Sequence, residues 1–376
     1  MNSNIMLGDA FARSGTIQYG RWEALTHPTG HQEFLPVIIA QGNEAGPVLW
    51  LTAGIHGPEH AGPVVLYRLI TQELIDRMRG TIVAIPALNP AGLRTMKREP
   101  YHAPKDPNRL WPEAKPKAPP DPDKDPPSSL EVAYARLFDQ ILETADAMID
   151  YHNAWTGSIS FSFLDRIFYR TDVDAELNKA EAEALSAKQM ALLRAYGHTI
   201  VCEMPAEKLI DDELHRSTTA ASLLIGKIPS FTVELGTGHM PDPAIVAASV
   251  AGTRNVMRHL EMLDGELEPI EGIKVVDPGY LARRLETPRV SDPCVVLHRV
   301  ESGELVRQGD VVADMVDIWG RPLGEGVVRS EYDGFVLGRQ HGIYYYPGDP
   351  VLSMAVPNAA PVIAPYPDDY FKIKES

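Results

Sequence analysis

His56 and Glu59 stand three residues apart in Gly54-Ile-His-Gly-Pro-Glu59. An imidazole and a carboxylate so spaced across a tight turn can grip one zinc ion. Alone, the pair reads more simply as a helix cap and a first-turn acid. A catalytic zinc takes three protein ligands and keeps one position for water, so a third ligand decides the matter. His152, closing the apolar run Ala147-Met-Ile-Asp-Tyr-His152, is the candidate. Asp150, two residues earlier, could orient its ring if the strand end bends suitably. Metal-assisted amide hydrolysis also needs a base that takes a proton from water and hands it to the leaving amine. Glu234 ends the apolar strand pattern Pro229-Ser-Phe-Thr-Val-Glu234, where partial desolvation would raise its pKa toward the working range. Arg94 and Arg98 are candidates for the cation that meets the developing oxyanion. Arg109 with Asn108 could hold a substrate carboxylate in two-pronged fashion.

These residues need a scaffold that brings them together. Val48–Ala53 is an apolar run of the length of a buried parallel strand. Gly54 and Gly57 break it, and a helix from Glu59 to about Arg79 follows, with Pro58 in its first turn. Thr81–Pro86 is the next strand, which completes a βαβ unit. Strands at 16–24 and 33–41 precede it. Helices at 130–144, 175–196, 211–224 and 244–263, and strands at 147–153, 158–169, 199–203 and 229–236, follow. His56, Glu59, His152 and Glu234 thus fall at carboxyl ends of strands, where open α/β sheets place their sites. The fold class predicted is α/β, a mixed, largely parallel sheet with helices on both faces. Its catalytic domain spans 1–268. Within it, the proline-rich segment 113–128 reads as a surface excursion. Glycine-punctuated β-rich runs at 269–360 predict a small all-β domain that echoes a barrel-sandwich module. The lysine that carries the modification in such modules has no counterpart in Arg329-Ser-Glu-Tyr-Asp333, so this region is expected to be structural or to cover the pocket. Residues 361–376 read as a tail.

The chain has 376 residues and a formal net charge of −16, which argues against nucleic acid or an anionic membrane as partner. Cys202 and Cys294, far apart in the sequence, are expected as reduced core residues. No apolar run approaches a membrane span and no secretory signal is seen, so a cytoplasmic location is the expectation.

Five motifs occur in order: Gly54-Ile-His-Gly-Pro-Glu59, Asn89-Pro-Ala-Gly92, Asp106-Pro-Asn-Arg109, Asp150-Tyr-His152 and Val233-Glu-Leu-Gly236. Together they resemble the succinylglutamate desuccinylase/aspartoacylase family of the zinc carboxypeptidase superfamily. The resemblance covers about residues 45–240, and the β-rich C-terminal region suits it. It implies that His56, Glu59 and His152 bind one zinc ion and that Glu234 is the base. It implies that Arg98 polarises the scissile carbonyl and that Asn108 and Arg109 hold the substrate carboxylate. Two departures stand out: the family's Asp-Leu-Asn-Arg reads Asp-Pro-Asn-Arg here, and segment 113–128 follows it directly. The family's pocket tyrosine has three candidates, Tyr344, Tyr345 and Tyr346. Family members often associate, which implies a homo-oligomer.

The reading is a zinc-dependent amidohydrolase that removes a small acyl group from an N-acyl amino acid, a small-molecule substrate. A carboxypeptidase acting on short peptides is a second enzyme reading. A binding protein that kept the fold and lost turnover is the reading from another class.

Overall fold

The computed structural model describes residues 5–115, 125–154, 157–236, 238–339 and 342–372. The central part of segment 113–128, residues 116–124, lies outside them, as does the end of the tail, 373–376.

The apolar run predicted at 48–53 is the inner part of β3 (Glu44–Ala53), which follows β1 (Thr16–Thr26) and β2 (Gln32–Gln41). Both faces of β3 are covered. Leu49, Leu51 and Ala53 enter one core and Val48 and Trp50 another, which is why the run is apolar at successive positions. Helix α1 (Ala61–Leu69) leads to β4 (Arg79–Ile85). Helix α2 (Ser129–Thr144) opens with a capping box in which Ser128 and Glu131 satisfy each other's backbone N–H groups. Then come β5 (Ala147–His152), β6 (Phe161–Leu164), α3 (Ala175–Tyr196), β7 (Thr199–Cys202), β8 (Ser230–Glu234) and α4 (Pro243–His259). Helices α1, α3 and α4 pack on one face of the sheet and α2 on the other.

The C-terminal strands are β9 (Ala282–Glu286), β10 (Cys294–His298), β11 (Leu305–Val306), β12 (Val311–Val316), β13 (Pro322–Arg329), β14 (Gly334–Arg339), β15 (Tyr344–Tyr345) and β16 (Leu352–Pro357). The predicted all-β texture holds. Four of these strands, however, lengthen the main sheet, which has twelve strands in the order β11-β14-β16-β9-β7-β6-β8-β5-β3-β4-β2-β1. The junction is β9, which lies parallel to β7 with Val201 opposite Ala282. Its inner members β4, β3, β5 and β8 are parallel. Strands β13-β12-β10-β15 form a second, antiparallel sheet, and Val296, Val312, Val336 and Met354 from both sheets share one core. Cys202 and Cys294 are buried and free.

Two predicted helices are shorter than expected. The segment 59–79 holds α1 and a four-residue helix Gln72–Ile75, because the chain turns to extended geometry at Ile70 and Thr71 caps a new turn. Helix α1 starts only at Ala61, so Pro58 and Glu59 belong to the preceding loop. The segment 211–224 divides at Ser217, whose extended backbone and side-chain cap begin the helix Thr218–Leu224. Among the described residues, no helix is long and apolar enough to cross a membrane.

Gly57 sits where three segments meet. A Cβ there would lie 2.1 Å from the carbonyl oxygens of both Gly92 and Lys97. Both obstacles are backbone, so the contact cannot be relieved by a side-chain rotation. The substitution Gly57→Ala should therefore destabilise the fold by about 1–3 kcal/mol, read as a lowered midpoint in urea denaturation with an unchanged slope.

Candidate active site

Strands β3, β5 and β8 run parallel side by side, and register aligns their ends: Ala53 with Tyr151, and His152 with Glu234. After β3, Gly54 adopts φ +66°, a conformation that favours glycine, and swings the chain over the sheet edge. The His56 carbonyl accepts the Glu59 N–H at 3.1 Å, and the Gly57 N–H reaches Lys97 O at 3.1 Å. This tight loop brings His56 and Glu59 over the end of β5.

The two histidines share one carboxylate. His56 Nδ1 lies 2.8 Å from Glu59 Oε1, and His152 Nδ1 lies 2.9 Å from Glu59 Oε2. Each ring turns its other nitrogen to a separate aspartate. His152 Nε2 is 2.9 Å from Asp150 Oδ2, and His56 Nε2 is 3.1 Å from Asp106 Oδ1. Asp150 is itself fixed by the Thr52 hydroxyl at 2.7 Å. Strand alternation puts Asp150 and His152 on one face, so the orienting contact expected from the sequence is present. The donor atoms of His56, Glu59 and His152 lie within 4.8 Å of one another. Two imidazole nitrogens and a carboxylate, each ring held from behind by an aspartate, are a donor set that fits a zinc ion. Burial pushes the Glu59 carboxyl up, but the two neighbouring histidines outweigh it and hold it well below the usual carboxylate range. Burial lowers His152, and Asp150 and Glu59 reverse that and raise it well above the ordinary value.

Glu234 ends β8 beside this cluster. Burial raises its carboxyl to about 7, against the pull of His152. Its Oε2 is buried and has no hydrogen-bond partner among the described residues. An oxygen in that state is ready to take a proton.

The cluster opens on a cavity of about 320 Å³ lined by His56, Glu59, His152 and Glu234 together with Arg98, Asn108 and Arg109. Of the neighbouring cations Arg94, Lys97 and Arg98, only Arg98 lines it. Its Nη2 pairs with Asp106 at 2.7 Å and its Nη1 lies 3.9 Å from Glu59. Arg94 instead faces Glu33, and Lys97 supplies its carbonyl to Gly57. Arg109 is held by Asp212 O at 3.0 Å and Asn108 O at 2.8 Å. Asn108 is buried, and its Oδ1 accepts from the Thr218 N–H and hydroxyl, each at 3.0 Å. Only the donor half of that amide could serve an anion.

The tyrosine expectation fails. None of Tyr344, Tyr345 and Tyr346 lines the cavity: Tyr345 is buried in the C-terminal core, and the other two are exposed. The C-terminal region contributes a different residue, Arg284 on β9, which pairs with Glu203 at 3.0 Å and lines the cavity. Asp165 lines it too, bonded to the Thr219 hydroxyl at 3.1 Å, and burial followed by the charge of Glu203 raises it to about 7. Asn153 ties the site together. Its N–H reaches Glu59 Oε2 at 3.2 Å, its Oδ1 accepts the Ala61 N–H, and its amide nitrogen reaches Gly238 O at 2.7 Å. Asp106, Asn153, Asp165, Glu203 and Arg284 had no assigned role in the sequence reading. Asp106 opens one of its motifs and Asn153 directly follows another, so both could have been found there. Arg284 depends on a strand pairing that no local pattern announces.

Comparison with known proteins agrees with this geometry. Residues 45–260, more than half of the chain, match the family model described as the succinylglutamate desuccinylase/aspartoacylase catalytic domain. A curated relative, the N-alpha-acetyl-L-2,4-diaminobutyric acid deacetylase of Halomonas elongata, is 25% identical over 327 aligned positions, with 85% of each chain covered. Among solved structures, a succinylglutamate desuccinylase/aspartoacylase from Rhodobacter sphaeroides superposes with a TM-score of 0.69 at 19% identity, over 95% of this chain and 100% of that one. The product-bound ectoine utilization protein EutE (DoeB) from Ruegeria pomeroyi gives 0.67 at 20% identity, over 91% and 95%. At those identities the structural likeness speaks for the fold.

If the aspartates hold the rings for a metal, Asp150→Asn and Asp106→Asn should each weaken zinc binding about 10–100-fold, measured by competition with a chromophoric chelator.

Proposed function

The chain belongs to the succinylglutamate desuccinylase/aspartoacylase family, and on that basis we propose that it is a zinc-dependent deacylase of small N-acyl amino acids. The observation that carries the reading is the meeting of His56, Glu59 and His152 beside the partnerless Glu234 Oε2. Zinc bound by the three side chains would supply a Lewis acid for the scissile carbonyl and would acidify the attacking water. Glu234 accepts the proton of that water and passes it to the nitrogen of the leaving amino acid. Arg98, oriented by Asp106, offers N–H donors where the carbonyl oxygen gains charge. Arg109 and the amide of Asn108 hold the substrate carboxylate.

The cavity volume of about 320 Å³ is at the small end for ligand sites, which favours a small acyl amino acid over a peptide. Its lining suggests more about the substrate. Glu203 is engaged with Arg284, whereas the Asp165 carboxyl has Thr219 as its hydrogen-bond partner. A substrate ammonium beside Asp165 would favour the carboxylate form and offset the cost of its burial. We therefore favour an N-acyl amino acid with a basic side chain, in keeping with the substrate named for the Halomonas elongata relative.

Three outcomes are expected. Glu234→Gln keeps the metal and loses about 10²–10⁴-fold in kcat, the usual share of a general base; a rate near wild type would remove Glu234 from that role. In a panel of N-acetyl amino acids with basic, neutral and acidic side chains, the basic ones react best, and Asp165→Asn raises KM for them selectively. The rate should also fall as the pH drops below about 7, because a protonated Glu234 cannot accept the proton. A nearby metal cation moves that midpoint down rather than up. A pH profile of kcat/KM from 4.5 to 8.5 checks this.

A further inference from the structure

A second group of metal-ligating side chains lies outside the catalytic cluster. His27 follows β1, Glu33 lies on β2, and His102 is in the loop that carries Arg98 and Asp106. A tight turn joins the two strands, with the His27 N–H on His31 O at 2.7 Å. Glu33 stands opposite Leu25, so His27, two residues further on, is its diagonal neighbour on the same side. His102 completes the group from the other side, its ring 4.9 Å from that of His27 at an angle of 71°.

The spacing is what distinguishes this cluster from an ordinary ion pair. Glu33 is buried, 5% exposed. Its nearest cationic or imidazole nitrogens stand off: His27 Nε2 at 3.4 Å, His102 Nε2 at 3.6 Å and the exposed Arg94 Nη2 at 3.7 Å. Charge-assisted hydrogen bonds to a carboxylate close to about 2.7–2.9 Å. Two ligands about 2.0–2.1 Å from a tetrahedral zinc lie about 3.4 Å apart. The two imidazoles, one on each oxygen of Glu33, stand at about that spacing and leave room for an ion between ring and carboxylate. In addition, His102 Nε2 is buried and has no hydrogen-bond partner among the described residues. A buried nitrogen facing a carboxylate at this distance has a lone pair or a proton with nowhere to go.

We propose that His27, Glu33 and His102 form a second site for a divalent transition ion of the zinc class, which fastens the loop bearing Arg98 and Asp106 to the β1–β2 hairpin. Two imidazoles and one carboxylate select such an ion over magnesium or calcium, which prefer oxygen. Arg94 is exposed and can swing aside as the ion enters. The site is independent of the proposed reaction, and each can fail without the other.

Metal-stripped full-length protein titrated with Zn²⁺ or Co²⁺ tests it. The wild-type chain should bind two equivalents. A His27→Asn/His102→Asn variant should bind one, and a His56→Asn/His152→Asn variant should also keep one. In the latter background, Zn²⁺ should still raise Tm, and further replacement of His102 should abolish the rise. Saturation of the wild-type chain at one equivalent, unaltered by replacing His27 and His102, would overturn the proposal. A crystal of the Zn²⁺-loaded wild-type protein gives an answer free of variants. An anomalous zinc peak between His27, Glu33 and His102 supports the site, and a peak at His56, Glu59 and His152 alone refutes it.

Discussion

One largely covered carboxylate shared by two imidazoles organises the site. Glu59 turns one oxygen to each histidine, and each histidine leans back on its own aspartate. The chain of contacts runs Asp106, His56, Glu59, His152, Asp150, and five ionisable groups in so little water are tolerable only because each is paired. The geometry of the rest follows from keeping that row intact. Gly54 and Gly57 allow the loop to fold back, Thr52 pins Asp150, and Asn153 holds Glu59 from the backbone. Glu234 is outside the row, next to it in register but without a partner for Oε2, which sets it apart chemically from the other carboxylates.

The loop after β4 couples recognition to this row. Asp106 accepts from His56 with one oxygen and from Arg98 with the other, so the ring orientation of a proposed metal ligand and the aim of a cation are set by a single side chain. Two residues further on, Asn108 bonds to the start of the helix Thr218–Leu224, and Arg109 reaches Asp212. Proline at 107, where the family pattern has leucine, suits the short helical turn Pro107–Arg109 that these contacts require, because its φ is already fixed for a first helical position.

Much of this was legible in the sequence for a physical reason. A parallel strand buried on both faces must be apolar throughout, so polar residues appear abruptly at its end, and His56, His152 and Glu234 each mark such an end. The helices expected at 130–144 and 244–263 were likewise readable, although the residues that cap them, Ser128 and Asp242, were not picked out. The extent of helix 59–79 was not, because apolar spacing persists through Ile70 while the backbone there turns extended. Three consecutive tyrosines gave no direction either. Which one is buried depends on the pairing of Tyr345 with Cys294, and that pairing is non-local. Arg284 was hidden for the same reason. Ala282-Arg-Arg-Leu-Glu286 reads as a polar surface strand until its parallel neighbour β7 is known.

The β7–β9 pairing also governs what the chain can lose. A protein ending near residue 268 would look, on paper, like a complete hydrolase with every proposed ligand and the base in place. It would nonetheless present the whole margin of β7 to solvent as an unpaired row of amides and carbonyls, the kind of surface on which foreign strands accrete. It would also lack the guanidinium facing Glu203, leaving an uncompensated acid in the wall of the cavity. The β-rich C-terminal region is thus a wall of the cavity and a seal on the sheet, and trimming it would cost both solubility and selectivity.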